Sequence, residues 1–268
     1  MDVTGLVRYD VGDGVATVTL DSPHNRNALS AQLVDELSAR LSEAGADRRV
    51  RAVVLTHAGR VFCSGADLAA AGTGSIGDAG AAIVALLRLI VELPKPVIAR
   101  IAGHVRAGGM GIVGACDLAV AADGASFAFT EVRIGVAPAM ISLTTLDIAD
   151  PRQAARYYLT GETFDAAEAA WLGLVTAACS EGELDAVVDG LVAQILQTSP
   201  QGAAETKKLL TAARRERLEA QGPHMAALSA RLFASDEAQE GIRAFLEKRE
   251  PAWRSAPGFR AGPGQAGP

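Results

Sequence analysis

The chain is poor in cysteine, in aromatics, in basic charge and in long apolar runs, and each shortage excludes something. Its 268 residues hold three cysteines, Cys63, Cys116 and Cys179, with no CxxC pair among them. That spacing fits neither a zinc knuckle nor a disulfide framework, and the odd count points to a reducing compartment. Aromatics are 4% of the chain, so Ala, Val, Leu and Ile must fill the core. Lys and Arg number 25 against 31 Asp and Glu, a net charge of −6 with no basic tract. Nucleic acid is therefore not an expected partner, because phosphate binding needs clustered cations. The most apolar stretch, 81–93, is broken by Arg88 and Glu92 and is too short to cross a bilayer. The first ten residues carry no apolar signal-peptide core. A protein without a membrane partner, located in the cytoplasm, is the expectation.

Common enzyme motifs are also missing. There is no GxxxxGKS/T phosphate loop and no GxSxG elbow. The glycines at 108, 109, 111 and 114 do not spell GxGxxG. His24, His57, His104 and His224 are scattered, so no metal site is expected.

What is present describes a folded chain: 49% hydrophobic and 21% charged residues, at a length suited to one or two domains of roughly 150 residues. A turn signal at 11–14 precedes the alternating run 15–20, so the first twenty residues read as two strands. Ser30 reads as the N-cap of a helix over 31–44, where Leu33, Leu37 and Leu41 recur every four residues. Strands are expected over 51–57, 97–101, 118–121 and 126–129. A helix is expected over 83–93, ended by Pro94 and Pro96. Strands alternating with helices predict an α/β fold. Residues 71–80, rich in Gly, Ala and Ser, read as a mobile surface loop. Beyond Pro138 the period is helical, over 152–160, 165–172, 183–197, 202–221 and 223–248. The Gly- and Pro-laden 255–268 read as a disordered tail.

Two glycine-bearing loops follow apolar strands, 59–68 and 103–112. A loop that turns from strand into helix leaves backbone N–H groups unpaired. Two such ends facing one another make a site for a developing oxyanion. Taken singly, either loop reads first as a tight turn that allows close packing.

Four blocks then carry a resemblance. They are Asn27-Ala-Leu-Ser30, the run from Gly59 through Phe62-Cys-Ser-Gly-Ala-Asp-Leu68, Gly103 to Asp117, and Phe129-Thr-Glu-Val-Arg-Ile-Gly-Val-Ala-Pro138. In order and spacing the chain resembles the crotonase superfamily, the enoyl-CoA hydratase/isomerase family, and within it the bacterial methylglutaconyl-CoA-type hydratases. The resemblance implies a crotonase (ClpP-like) spiral of ββα units with a helical C-terminal trimerisation region. It implies a core over 1–200, a helical region over 201–254 and a tail over 255–268. It implies an acyl-CoA substrate and a homotrimer or dimer of trimers, with no cofactor, CoA being part of the substrate.

Motif by motif, the resemblance makes Glu131 the acid/base and the amides of Ala66 and Gly108 the oxyanion donors. Arg26, Ala28, Ser64, Asp67, Leu68 and Lys248 fall in blocks that contact substrate or CoA in relatives. Asp67 also reads as a helix cap, and Arg106 and Arg133 as surface residues. One position departs. Hydratases of the family commonly carry a second glutamate three positions after the second oxyanion glycine, and Gly111 stands there. The expectation is that Gly111 leaves a hole that accepts a branched or carboxylated acyl group, as in 3-methylglutaconyl-CoA. Hydration of a 2-enoyl-CoA is the leading expectation. A Δ3-Δ2-enoyl-CoA isomerase, which needs one glutamate, is the alternative, and a catalytically weak acyl-CoA-binding protein is the third.

Overall fold

A computed structural model describes residues 5–68 and 76–254. The 255–268 tail and much of the expected 71–80 loop lie outside the described residues, and the part of that loop from Ile76 onward is helical. In chain order the elements are β1 (Val7–Gly12), β2 (Val15–Leu20), α1 (Ala31–Ala46), β3 (Ala52–His57), β4 (Val61–Cys63), α2 (Ile76–Glu92), β5 (Val97–Ile101), β6 (His104–Arg106), α3 (Gly108–Ala115), β7 (Leu118–Ala122) and β8 (Ser126–Ala128). There follow the single turn α4 (Ser142–Thr145), α5 (Pro151–Thr160), β9 (Phe164–Asp165), α6 (Ala166–Leu172), β10 (Ala177–Cys179), α7 (Leu184–Leu196), α8 (Pro200–Phe233) and α9 (Asp236–Leu246).

One sheet has the order β1-β2-β3-β5-β7-β10 and is parallel apart from β1. Its central strands are covered on both faces, which is why β3 reads as a continuous apolar run. The second sheet is small, β4-β6-β8-β9, with β4, β6 and β8 parallel neighbours. These strands of two or three residues are too short for a period-two signal, and only β8 is legible in the sequence. The scarce aromatics gather beside this sheet. Phe129 lies 4.2 Å from Tyr158, and Phe164 lies 4.2 Å from Tyr157 and 5.8 Å from Phe127, ring centre to ring centre.

The expected helix break at Pro223 is absent: α8 runs unbroken to Phe233. Proline removes the N–H one turn after Glu219 and displaces the carbonyls around it. Arg88 of α2 donates from Nη2 to the carbonyl of Leu218 at 3.1 Å, supplying a hydrogen bond where the helix is perturbed. α8 packs along α2, and α9 packs against the 3-10 turn Thr130–Ile134. No helix among the described residues is long and apolar enough to cross a membrane.

Candidate active site

Because β4, β6 and β8 are parallel neighbours, their C-terminal ends share one edge. Ligands gather at such ends, since the loops that leave them converge. β4 runs into 64–67, β6 into Ala107 and Gly108, and β8 into the 3-10 turn that carries Glu131.

The first loop is fixed from below by Asn27. Its buried side chain donates from Nδ2 to Ala58 O at 3.1 Å and Val61 O at 2.7 Å, and accepts from Ser22 N–H at 2.7 Å. Arg26 and Asn27 are both left-handed, with φ of 61° and 53°, a conformation Asn tolerates better than most residues. The N–H of Leu29 then donates to Gly65 O at 2.8 Å and ties the segment to the loop.

The two glycine loops touch. Gly65 has φ +89°, and a Cβ there would lie 2.6 Å from Ala107 Cβ and 3.2 Å from Gly108 N. A Cβ on Gly108 would lie 2.7 Å from Leu29 Cδ1. Glycine at both positions is what lets the backbones approach. Ala107 turns the chain into α3 at φ 46° and ψ −119°. For a residue with a Cβ that conformation costs on the order of 1–3 kcal/mol, and it persists only when its surroundings enforce it. Gly108 is the first residue of α3, so its N–H has no carbonyl one turn back. The bridge between Leu29 and Ala66 uses Gly65 O and leaves the Ala66 N–H out.

Glu131 lines the same cavity as Ala66 and Gly108. Its Oε2 is sealed from solvent and has no hydrogen-bond partner, a costly arrangement that marks a group reserved for something other than stability. Burial disfavours the charged form and pushes the carboxyl up to about 7. Cys63 and Cys116 are buried thiols, and burial pushes both up to about 12, which suits core residues rather than nucleophiles.

A cavity of about 710 Å³ opens over this edge. Arg26, Ala28, Ser64, Ala66, Asp67, Leu68, Gly108 and Glu131 all line it. The residues that Asp67 would cap lie outside the described residues. The roof comes from residues the sequence did not single out for the site: Phe233 of α8, Phe245 and Leu246 of α9, and Arg249 beyond it. Amphipathic periodicity in α9 marks an apolar face but not what that face covers. Arg133 lines the cavity and is exposed, as expected. Arg106 is a correction, half-buried rather than on the surface.

Two further expected site residues stand outside this lining. Gly111 does not reach the cavity: a Cβ there would lie 2.7 Å from Ile141 Cγ2 and 3.4 Å from Ile141 Cα. Ile141 fills the space expected to be a hole. Lys248 is exposed at left-handed φ 55° just past α9 and stands outside the cavity lining, which takes Leu246 and Arg249 from either side of it. Gly111→Glu is accordingly expected to act first on packing. Overfilling a tight interior costs about 1–3 kcal/mol, so Tm should drop by several degrees in a thermal melt, and Ile141→Ala should recover part of the loss.

The same architecture is found in proteins of known class. Residues 10–256 match the enoyl-CoA hydratase/isomerase family. The chain belongs to that family. A crystal structure of an enoyl-CoA hydratase from Mycobacterium avium is 54% identical, covers 94% of this chain and 100% of its own, and superposes with a TM-score of 0.87. An enoyl-CoA hydratase from Mycobacterium avium subsp. paratuberculosis K-10 is 30% identical, with a TM-score of 0.84 over 92% of this chain and 98% of its own. A Thermus thermophilus relative whose name also carries enoyl-CoA hydratase is 36% identical over 255 residues, 92% of this chain and 99% of its own. The likeness covers both glycine loops, the Glu131 turn and the helical roof, so the crotonase fold extends over the described chain.

Proposed function

We propose that the protein hydrates a 2-enoyl-CoA, with the thioester oxygen held between the N–H groups of Ala66 and Gly108 and Glu131 moving the proton. The observation that carries this reading is the unpartnered Glu131 Oε2 in a residue that lines one cavity with two amides that no other group of the described residues uses. As carboxylate, Glu131 takes a proton from water as the water oxygen bonds to C3. The electron pair of the C2–C3 double bond moves to C2 and the carbonyl, giving an enolate whose oxygen lies on the two amides. Glu131, now the acid, returns the proton to C2. Each preorganised donor contributes about 2.7–4 kcal/mol to such a barrier. A carboxyl near 7 serves as base and acid in turn at neutral pH.

Gly111 favours a second reading. With no carboxylate at that position, proton transfer through Glu131 alone also suits a Δ3-Δ2-enoyl-CoA isomerase, which removes a proton from C2 and returns it at C4. For the acyl group, the apolar Ile83, Met140 and Phe233 in the cavity wall support a linear chain. The exposed Arg133 supports a branched, carboxylated one of the 3-methylglutaconyl-CoA kind. An absorbance assay on crotonyl-CoA, a branched 2-enoyl-CoA, 3-methylglutaconyl-CoA and a 3-enoyl-CoA decides between them. Loss of the 2-enoyl signal supports hydration and its appearance from the 3-enoyl substrate supports isomerisation. Binding without turnover leaves the acyl-CoA-binding reading.

The pH profile follows from Glu131. Its carboxyl is raised, so the base form is scarce below about 7. The kcat/KM for hydration is expected to rise with pH through about 7 and to level off above it; a profile flat from pH 5 to 8 would remove Glu131 as the base. We also propose a homotrimer or dimer of trimers. Leu159 and Trp171, 79% and 64% exposed, and Leu209 and Leu210 leave apolar surface for further copies, and light scattering after size exclusion tests it.

A further inference from the structure

Arg106 is a half-buried cation that the proposed chemistry leaves unused. It ends β6 one residue before Ala107, and its side chain turns back along the strand. Nη1 donates to Val105 O at 2.9 Å and to Ser126 O at 2.6 Å, and Nη2 donates to Ser126 Oγ at 2.8 Å. Ser126 Oγ in turn lies 2.9 Å from His104 Nδ1. Ser126 opens β8, at the end away from Glu131, so the guanidinium is anchored behind the reacting edge rather than in it. It fastens the last residues of β6 to the first residue of β8.

The residue that follows needs such an anchor. Ala107 holds φ 46° and ψ −119°, where a Cβ is crowded, and relaxation to negative φ is opposed only by what fixes its neighbours. Downstream, Met110 N–H donates to Ala107 O at 2.8 Å, and Ala107 N–H itself donates to Ala128 O at 3.1 Å. Upstream, the fixed point is Arg106. The peptide plane between Ala107 and Gly108 carries the Gly108 N–H, and its tilt is set by ψ of Ala107. A swing of that plane takes the N–H off the cavity.

We propose that Arg106 is a positioning residue: tied to Ser126, which bonds His104, it holds Ala107 in the strained turn that aims the Gly108 N–H at the substrate carbonyl. The proposal rests on Gly108 being an oxyanion donor.

The test reads the donor with and without turnover. The carbonyl stretch of bound butyryl-CoA, labelled with 13C at the thioester carbon, falls when the oxygen accepts strong hydrogen bonds, and this saturated thioester cannot be hydrated. In Arg106→Met the stretch is expected to return part-way to its value in water. Turnover of the 2-enoyl-CoA should fall about tenfold with KM within about twofold, less than complete loss of a donor. Ser126→Ala, which removes one acceptor, gives a smaller change in the same direction, and serves alone if Arg106→Met does not fold. Glycine has no Cβ to strain, so in an Ala107→Gly background Arg106→Met is expected to cost less than about twofold. Wild-type turnover and carbonyl stretch in Arg106→Met would overturn the proposal, and so would an equal loss in both backgrounds. An unshifted carbonyl in the unsubstituted protein would instead remove the oxyanion reading, and this proposal with it.

Discussion

Glu131→Gln is expected to lower turnover of the enoyl-CoA substrate by about 10²-fold or more while leaving acyl-CoA affinity within a few-fold. The amide keeps the shape of the side chain and removes its titration, so the two backbone donors still bind the thioester while no group moves the proton. Isothermal calorimetry with butyryl-CoA and initial rates on the same preparation separate the two effects, and full turnover in the variant would end the mechanism. The substitution has an opposite effect on stability. The folded carboxyl is raised from 4.5 to about 7, so the stability that the acid form contributes is present at pH 4 and is lost as pH rises through 7. The neutral amide of the variant carries no such penalty, and at pH 8 the variant should be the more stable protein by up to about 3 kcal/mol. A gain in stability at pH 8 with a loss of turnover is the signature of a functional carboxyl, since a merely structural one would lose both.

The largest loss of stability is expected from Lys207→Met. Lys207 is 4% exposed, and its Nζ lies 2.7 Å from Asp117 Oδ2 while donating to Ile90 O at 2.9 Å and Lys95 O at 3.1 Å. Asp117 also accepts the Val97 N–H at 2.7 Å. Removing the lysine leaves a buried carboxylate with one donor, which typically costs about 3–5 kcal/mol. Two turns further along α8, Arg214 donates to Gly114 O at 3.0 Å and to Asp147 at 2.9 Å. α8 thus presents two cations to the C-terminal end of α3, a helix whose four glycines give it little propensity of its own. Urea unfolding of Lys207→Met checks the figure, and a loss below about 1 kcal/mol would show that the pair is not desolvated in solution. Asp117→Asn in the same background should return part of the loss by removing the orphaned charge.

The parts of the site that lay open in the sequence are those fixed by local chain chemistry. Ala66, Gly108 and Glu131 each follow an apolar strand, and the glycines beside the first two announce backbone that must come close to something. Ser30 announces its helix, and its side chain does accept from Leu33 N–H at 3.3 Å. The parts that lay hidden depend on residues far apart in the chain. Nothing near Gly111 shows that Ile141, thirty positions on, occupies its missing side chain. Nothing within α8 shows that Arg88 supports the helix at Pro223, so the proline reads as a stop. Nor does the period of α9 distinguish Lys248, which faces solvent, from Arg249, which is forked onto Glu240 and lines the roof.

The two amides and the carboxyl stand on three hydrogen-bonded neighbours, β4, β6 and β8. Neighbouring strands keep a spacing of about 4.8 Å set by their hydrogen bonds. Thermal bending or twisting of that sheet therefore carries donors and proton carrier along together, and their mutual distances survive it. The roof hangs from different supports, α8, α9 and the segment after them, and shares no strand with the floor. Opening it to admit a long thioester leaves the two amides on their strands, but α9 packs on the turn that carries Glu131. Entry is therefore geared to the proton carrier and not to the oxyanion donors: the covering helices share a support with the carboxyl, while Ala66 and Gly108 keep their spacing whether the roof is open or shut.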